Sequence, residues 1–467
     1  MEIQKGTEPV ISVGVMSAPA LSFTLNEPYQ LNGMTLQGTH TVQLSGGMIE
    51  FNGGLFKQLT FVPTTQGSTF SLHNVVIGIN FHWQRAETQV FSGSLSFVVD
   101  GDNIWAVNKL PIEDYLYCVI ASEMSATSNI ELLKAHAIVS RSWLVAQLQR
   151  KNNQSRIEQS SADEITRWYD RDDHHLFDVC ADDHCQRYQG LTRIGGMLRI
   201  HKKQPDQTLL KWPLWSGGVQ QSDVAENPVQ QAIDQTAGML IVSTEAGLSN
   251  AEVCDARFSK CCGGITETYE TCWDNTPHCY LQSFADFTHR PSGYSIDLRS
   301  EPDARHWITT SPDAFCNTSD AAILKQVLNS YDQETADFYR WKVSYTTAEL
   351  SDLVAKKTGI DFGTITNLIP LTRGFSGRIS RLQIVGTKKT LIIGKELEIR
   401  RILSQSHLYS SAFVVEKTSE GFTLHGAGWG HGVGMCQIGA AVMSERGFGF
   451  KSIILHYFRC ATIEKWW

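Results

Sequence analysis

Glu123 stands in a short connector, Ser122-Glu123-Met124-Ser125, between two segments of helical periodicity. Its apolar neighbours Ile120, Ala121 and Met124 suit a carboxyl whose pKa is raised and that acts as a general acid. The competing reading is a solvated or capping carboxylate. A second group is the run from His425 to Gln437, in which glycines at 426, 428, 430, 432 and 434 alternate with Ala427, Trp429, His431 and Val433. Glycine at that density permits left-handed backbone and close approach. The run matches neither a dinucleotide fingerprint nor a phosphate loop. With two histidines and a tryptophan it reads as part of a site, and otherwise as a glycine-bearing edge or turn.

Cysteine supplies further candidates. His174, Cys180 and Cys185, with His175 and His184 nearby, offer zinc-type donors at short spacing. A Cys180–Cys185 disulfide and plain thiols are the alternatives. Cys254, Cys261, Cys262 and Cys272 surround Gly263-Gly264. Adjacent cysteines seldom pair with each other, whereas Cys272 and Cys279 bracket a loop that a disulfide can close. A nucleophilic thiol would need a base such as His431. Among the aromatics, Trp212, Trp215, Trp273 and Trp429 are core residues by default, and those beside glycine can present flat faces to sugar rings.

These residues need a scaffold. At 467 residues the chain is long enough for several domains, and a formal charge of −8 disfavours a general nucleic-acid binder. No apolar run reaches the length of a membrane span. The eleven cysteines are an odd number, which rules out complete internal pairing. The chain starts Met-Glu-Ile-Gln-Lys, without a charged-then-apolar signal segment. Residues 1–104 alternate in the manner of strands (Leu21, Phe23, Leu25; Val75, Ile77, Ile79, Phe81), with turns at Gly46-Gly47 and Asn52-Gly53-Gly54. Pro111 suits the first position of a short helix. A longer helix follows to about Arg150, with Ser128 and Glu131 in capping-box spacing and Ile130, Leu133, Ala137 and Leu144 on one face. Residues 151–175 read as loop or weak helix, 320–355 as helical, 364–400 as alternating, and 420–460 as glycine-rich and then helical. The expected class is α+β. A β-rich front (1–104) precedes a core (105–290 and 406–467) that contains the long helix and is interrupted by a smaller α/β subdomain (291–405).

Leu110 to Met124, followed by Glu131 to Ser142, resembles the signature of the stage II sporulation protein D (SpoIID/LytB) family. The glycine run with Gly439-Ala440 and Ile454 to Phe458 resembles its C-terminal signature. Ser259 to Glu267, Ser376-Gly377-Arg378, Leu408 to Phe413 and Cys185 to Gly190 fit other blocks, in order. Departures are Ser125 for the usual Pro, His136 for Gln, Cys436 for Ser, and Cys262 for the Ser before Gly-Gly.

The resemblance implies a protein of the cell envelope that acts on peptidoglycan. The activity implied is that of a lytic transglycosylase on glycan strands stripped of peptide, or of an enhancer of a cell-wall amidase. It implies Glu123 as the catalytic acid, Lys134 and Arg141 as substrate-orienting groups, and a glycan site that includes Cys262, Gly263, Gly264, His425, Trp429, His431, Met435 and Gln437. It also implies a structural zinc at His174, Cys180 and Cys185, with no organic cofactor.

Overall fold

The computed structural model describes residues 3–78, 84–150, 158–168, 174–182, 185–195, 197–199, 227–244, 252–287, 289, 291–328 and 337–467. Ile79, Phe81, His184, Trp212 and Trp215 lie outside them. The structure is mixed α+β.

Ten strands form the first part: β1 (Val10–Ala18), β2 (Ala20–Leu31), β3 (Met34–Ser45), β4 (Met48–Phe51), β5 (Gly54–Phe56), β6 (Gln58–Pro63), β7 (Thr69–Ile77), β8 (Arg85–Ser92), β9 (Ser94–Asp100) and β10 (Asn103–Pro111). They hydrogen-bond in the order β1-β10-β9-β6-β2-β3-β4-β5, with β7 joined to β2 and β8. Period-two alternation sends Leu21, Phe23 and Leu25 inward. Phe23 lies 4.9 Å from Phe97 and 5.2 Å from Phe61 between ring centroids. The β4–β5 turn carries positive φ at both Asn52 (49°) and Gly53 (77°), which matches the right-handed twist of its hairpin.

The free edge of β1 accepts a two-residue parallel strand from far along the chain. Val13 pairs with Val179, and Gly14 with Cys180. Asp178 Oδ2 accepts from both the N–H and the hydroxyl of Ser12, at 2.9 and 2.7 Å. The β-rich part is thereby tied to one of the predicted metal segments.

Helix α1 spans Ile112–Glu123 and α2 spans Ile130–Arg150. Pro111, expected inside the first helix, is instead the last residue of β10, and the helix opens at Ile112. The expected Ser128–Glu131 capping box does not form. Asn129 Oδ1 accepts from the Glu131 N–H, while the Ser128 hydroxyl turns to the carbonyls of Ser125 and Gln326. A tertiary contact has taken the serine, and its neighbour caps. From Ala135 to Leu148 every residue of α2 is buried, as befits a helix surrounded on all sides. Around it lie α1, the helix Pro228–Thr236, the strand Met239–Ser243, and the helices Gln437–Glu445 and Phe450–Tyr457. One apolar core runs from the β-sheet through α1 and α2 to these elements.

A second apolar centre lies between residues 341 and 424. It joins the strands Ile365–Arg373, Ile379–Gly386 and Thr390–Gly394 to the helices Thr347–Thr358 and Glu396–Ile402. Two expectations are corrected here. Residues 320–355 are not continuously helical, because the strand Arg340–Thr346 pairs with Gly421–Ala427 before Thr346 and Glu349 form a capping box for the next helix. Within 151–175, Glu158–Ser160 and Glu164–Arg167 are strands, the second parallel to Thr390–Gly394. Edge pairing with a distant strand overrides their weak local preference.

Candidate functional site

Two of the carboxylates of helix α1 meet opposite surroundings. Near its start, Glu113 is buried and accepts from four donors. Arg141 gives a bidentate pair at 2.9 and 2.5 Å, and the Gly238 N–H and Trp467 Nε1–H each lie at 3.0 Å. Arg141 has no exposed surface. Its third contact is the Met239 carbonyl at 3.2 Å. The expected role of Arg141 as a substrate-orienting group is therefore corrected: it locks α1, α2 and the strand Met239–Ser243 together.

Glu123 is the last residue of α1, and only 7% of its surface is exposed. Its Oε1 accepts the Arg187 N–H at 3.1 Å. Its carbonyl accepts from Lys260 Nζ at 3.1 Å, and the same ammonium reaches the Val327 carbonyl at 2.9 Å. The segment from Gln186 to Gln189 is clipped along α1. Gln186 accepts from the Tyr115 hydroxyl and donates to the Ser140 carbonyl, and the Gln189 N–H meets the Ser122 hydroxyl. Tyr115 is stacked on Tyr188 at 5.1 Å. Burial, then the neighbouring Cys185, Cys180 and Glu123, push the Tyr115 phenol up.

That segment continues from the predicted metal trio. The donor atoms of His174, Cys180 and Cys185 all lie within 4.8 Å of one another. Cys185 Sγ is 3.6 Å from His174 Nε2 and accepts the Cys180 N–H at 3.4 Å. One imidazole and two thiols that converge in this way form a donor set suited to zinc. Both cysteines are thiols, as are the other nine, so the expected Cys272–Cys279 bridge is absent.

On the other side of Glu123 lies the glycine run. Lys260 is followed by Cys261, which exchanges two backbone hydrogen bonds with Trp429, at 3.0 and 2.8 Å. The close approach that the glycines allow is made by the protein itself. A Cβ on Gly263 would stand 3.1 Å from the Gly428 nitrogen, and one on Gly432 would strike the Arg378 guanidinium. Arg378, fully buried, donates to the carbonyls of Gly430 and Cys262 and to the Ser376 hydroxyl. Ser376 in turn donates to Glu267, whose carboxyl is raised by burial.

The predicted glycan-binding residues separate accordingly. Cys262, Met435 and Gln437 are buried behind the run and present no surface to a ligand. Gly264 faces the Trp307 ring, and Gly263 gives its carbonyl to Trp307 and Arg340. Gln437 Nε2 donates to His136 Nε2 at 2.8 Å, which leaves the ring proton on Nδ1 beside the Ser140 hydroxyl. Burial and the Lys260 charge hold His136 down at about 3. The ring of His431 is set edge-on against Trp273 at 4.9 Å, and its Nδ1 accepts the Val433 N–H. Desolvation and the charges of Arg257, Arg378 and Arg400 keep it neutral, well below the ordinary histidine range.

His425 is not part of this group. It lies on the strand Gly421–Ala427 and pairs with Glu416 at 2.7 Å, because strand alternation turns it to the outer face. Lys134 is held by Glu131 at 2.7 Å, over the Phe450 ring. Trp429 remains partly exposed, stacked on Phe338 at 4.6 Å with Tyr409 edge-on at 5.1 Å. Local sequence did not single out Arg187, whose contribution is a backbone N–H, or Lys260, which acts on carbonyls. The Ser259-to-Glu267 block was the signal available for Lys260.

A family model described as stage II sporulation protein matches residues 100–242, which include both helices and Glu123. A model described as a domain of unknown function matches 267–434. An uncharacterized protein of Brachyspira hyodysenteriae is 24% identical over 412 residues, 88% of this chain and 77% of that protein. The amidase enhancer of Bacillus subtilis is 24% identical over 243 residues, which cover half of this chain and 32% of the enhancer. Stage II sporulation protein D of Bacillus amyloliquefaciens is 23% identical over 362 residues, 77% of this chain and 76% of that protein. Over residues 100–242 the chain is similar to the SpoIID family.

Proposed function

We propose that the protein is a lytic transglycosylase of the cell envelope that cleaves the β-1,4 bond between N-acetylmuramic acid and N-acetylglucosamine in peptide-stripped glycan strands. The observation that carries this reading is the setting of Glu123. Its buried carboxyl accepts the Arg187 N–H, and its own carbonyl is anchored by Lys260. As the acid, Glu123 gives its proton to the leaving glycosidic oxygen. The muramic 6-hydroxyl then attacks C1, and the Glu123 carboxylate takes the hydroxyl proton, which closes a 1,6-anhydro ring. One carboxyl suffices because the nucleophile belongs to the substrate, unlike the two-carboxylate hydrolase scheme. The partly exposed Trp429, stacked on the buried Phe338, offers a flat apolar face to a sugar ring.

His174, Cys180 and Cys185 would hold a zinc ion. When bound, it supplies a structural cross-link rather than a Lewis acid for the bond being cut. The segment it would fix is the one that delivers the Arg187 N–H to Glu123. Metal analysis of protein purified without chelator should find zinc, with about one equivalent less in Cys180→Ser.

The deciding experiment is digestion of peptide-free glycan strands followed by mass spectrometry. The wild type should release anhydro-disaccharides and Glu123→Ala none. Undiminished anhydro products from the variant would sink the assignment. A second reading is favoured by one observation, the similarity to an amidase enhancer. In that case the protein binds glycan and releases sugar products from it neither alone nor in the variant, while a cell-wall amidase added to it gains activity.

A further inference from the structure

A second set of metal donors lies behind the glycine run. The side-chain donor atoms of Cys262, Asp286, Cys316 and Cys436 all stand within 4.8 Å of one another, and each residue is buried. They come from four separate stretches of chain and share no local spacing motif. Cys262 Sγ is 3.5 Å from Cys316 Sγ and 3.3 Å from Asp286 Oδ2. Zinc–sulfur bonds of ~2.3 Å in a tetrahedron place two sulfurs about 3.8 Å apart. The observed spacing therefore fits the edge of a mononuclear site. It is too short to span a multi-iron cluster, and the thiols are not bonded to each other.

The surroundings resemble an outer shell already in place. Cys436 Sγ accepts backbone N–H groups from Cys262 at 3.2 Å and Gly439 at 3.4 Å. Asp286 is oriented by His456 Nε2 at 2.9 Å and the Tyr457 hydroxyl at 3.2 Å, the carboxylate–histidine arrangement that steadies metal ligands. Three thiols and a carboxylate aimed at one point are explained economically by a cation.

We propose that Cys262, Cys316, Cys436 and Asp286 form a structural site for a divalent, thiol-seeking cation, zinc first among them, distinct from the His174–Cys180–Cys185 group. On binding, the coordinating thiols release their protons to solvent. The ion clamps the Gly263-Gly264 segment to the start of the helix Gln437–Glu445, and so fixes the back wall of the glycine run.

The test uses the full chain, purified under reducing conditions, with Cys180→Ser and Cys185→Ser combined so that the first group is disabled. This variant should still carry about one equivalent of zinc. Replacement of that zinc by cobalt(II) should give a thiolate-to-cobalt charge-transfer band and a tetrahedral d–d spectrum. Adding Cys316→Ser should abolish both. If that triple variant fails to fold, the parent variant decides alone. A folded parent without bound metal or a cobalt–thiolate band, or one in which peptide mapping finds a Cys262–Cys316 disulfide, overturns the proposal. Neither result bears on glycan cleavage, which the Glu123 digest tests separately.

Discussion

The two ends of α1 set two carboxylates in contrasting surroundings. At one end Glu113 accepts four donors, including a fully buried guanidinium. At the other, Glu123 accepts a backbone N–H on Oε1 from a segment clipped along the helix. A carboxylate saturated with donors inside the core is a lock, because moving it would unmake four contacts. The Glu123 carboxyl lies at the helix end, beside the connector and the Arg187 N–H. Motif position alone does not tell these acids apart, since both lie in the same signature; the partners do.

The largest effect that tests this contrast is on activity. Glu123→Gln keeps the shape and removes the transferable proton, so release of anhydro products should fall by about 10²–10⁴-fold, with a thermal midpoint close to wild type. An active Glu123→Gln would erase the distinction between the two ends. Next is the lock. Arg141→Met strands Glu113 and should cost about 3–5 kcal/mol by denaturant titration. The double variant Glu113→Leu/Arg141→Met should recover much of that loss, and failure to recover would mean that the pair is more than a satisfied ion pair.

The third prediction concerns pH. His136 is held neutral, with its folded pKa at about 3 against 6.5 for the free group. The unfolded chain binds this proton first, so the contribution is complete above pH ~6.5 and is lost progressively as pH falls toward 3. Thermal midpoints measured across that window should drop, and His136→Gln should flatten the slope. An unchanged slope would show that other groups set the acid limit. The smallest effect is expected at Lys260→Met, which removes two hydrogen bonds from a charged donor. A loss of about 1–3 kcal/mol in stability, with kcat reduced more than KM is raised, would mark Lys260 as positioning Glu123. A stability loss with intact kcat would mark it as scaffold only.

Much of this organisation was legible in the residues themselves. Period two in Leu21, Phe23 and Leu25 and the Asn52-Gly53 turn announce the sheet, and α2 runs to Arg150 as its spacing predicts. Glu123 reads as part of the connector and is instead the last residue of α1. What could not be read depends on partners far away in the chain. Arg141 looks like a free cation until Glu113 is seen beside it. Ser128 looks like a cap until Gln326 takes its hydroxyl. His425 and His431 look like a pair until strand alternation puts the first on the outer face with Glu416. The buried thiols are assembled from positions 262, 316 and 436, and the odd number of cysteines is explained by local groupings of free thiols rather than by a bridged framework.

The two-residue pairing between β1 and Val179–Cys180 has a consequence for modularity. Gly14 packs so tightly under Phe177 that a Cβ there would stand 2.4 Å from the ring, and Ser12 pins Asp178. The β-rich front is therefore not a detachable appendage that evolution or an engineer can exchange at the β10–α1 junction. A chain trimmed to begin at Ile112 would retain Glu123 but forfeit the edge to which the segment leading to Arg187 is zipped.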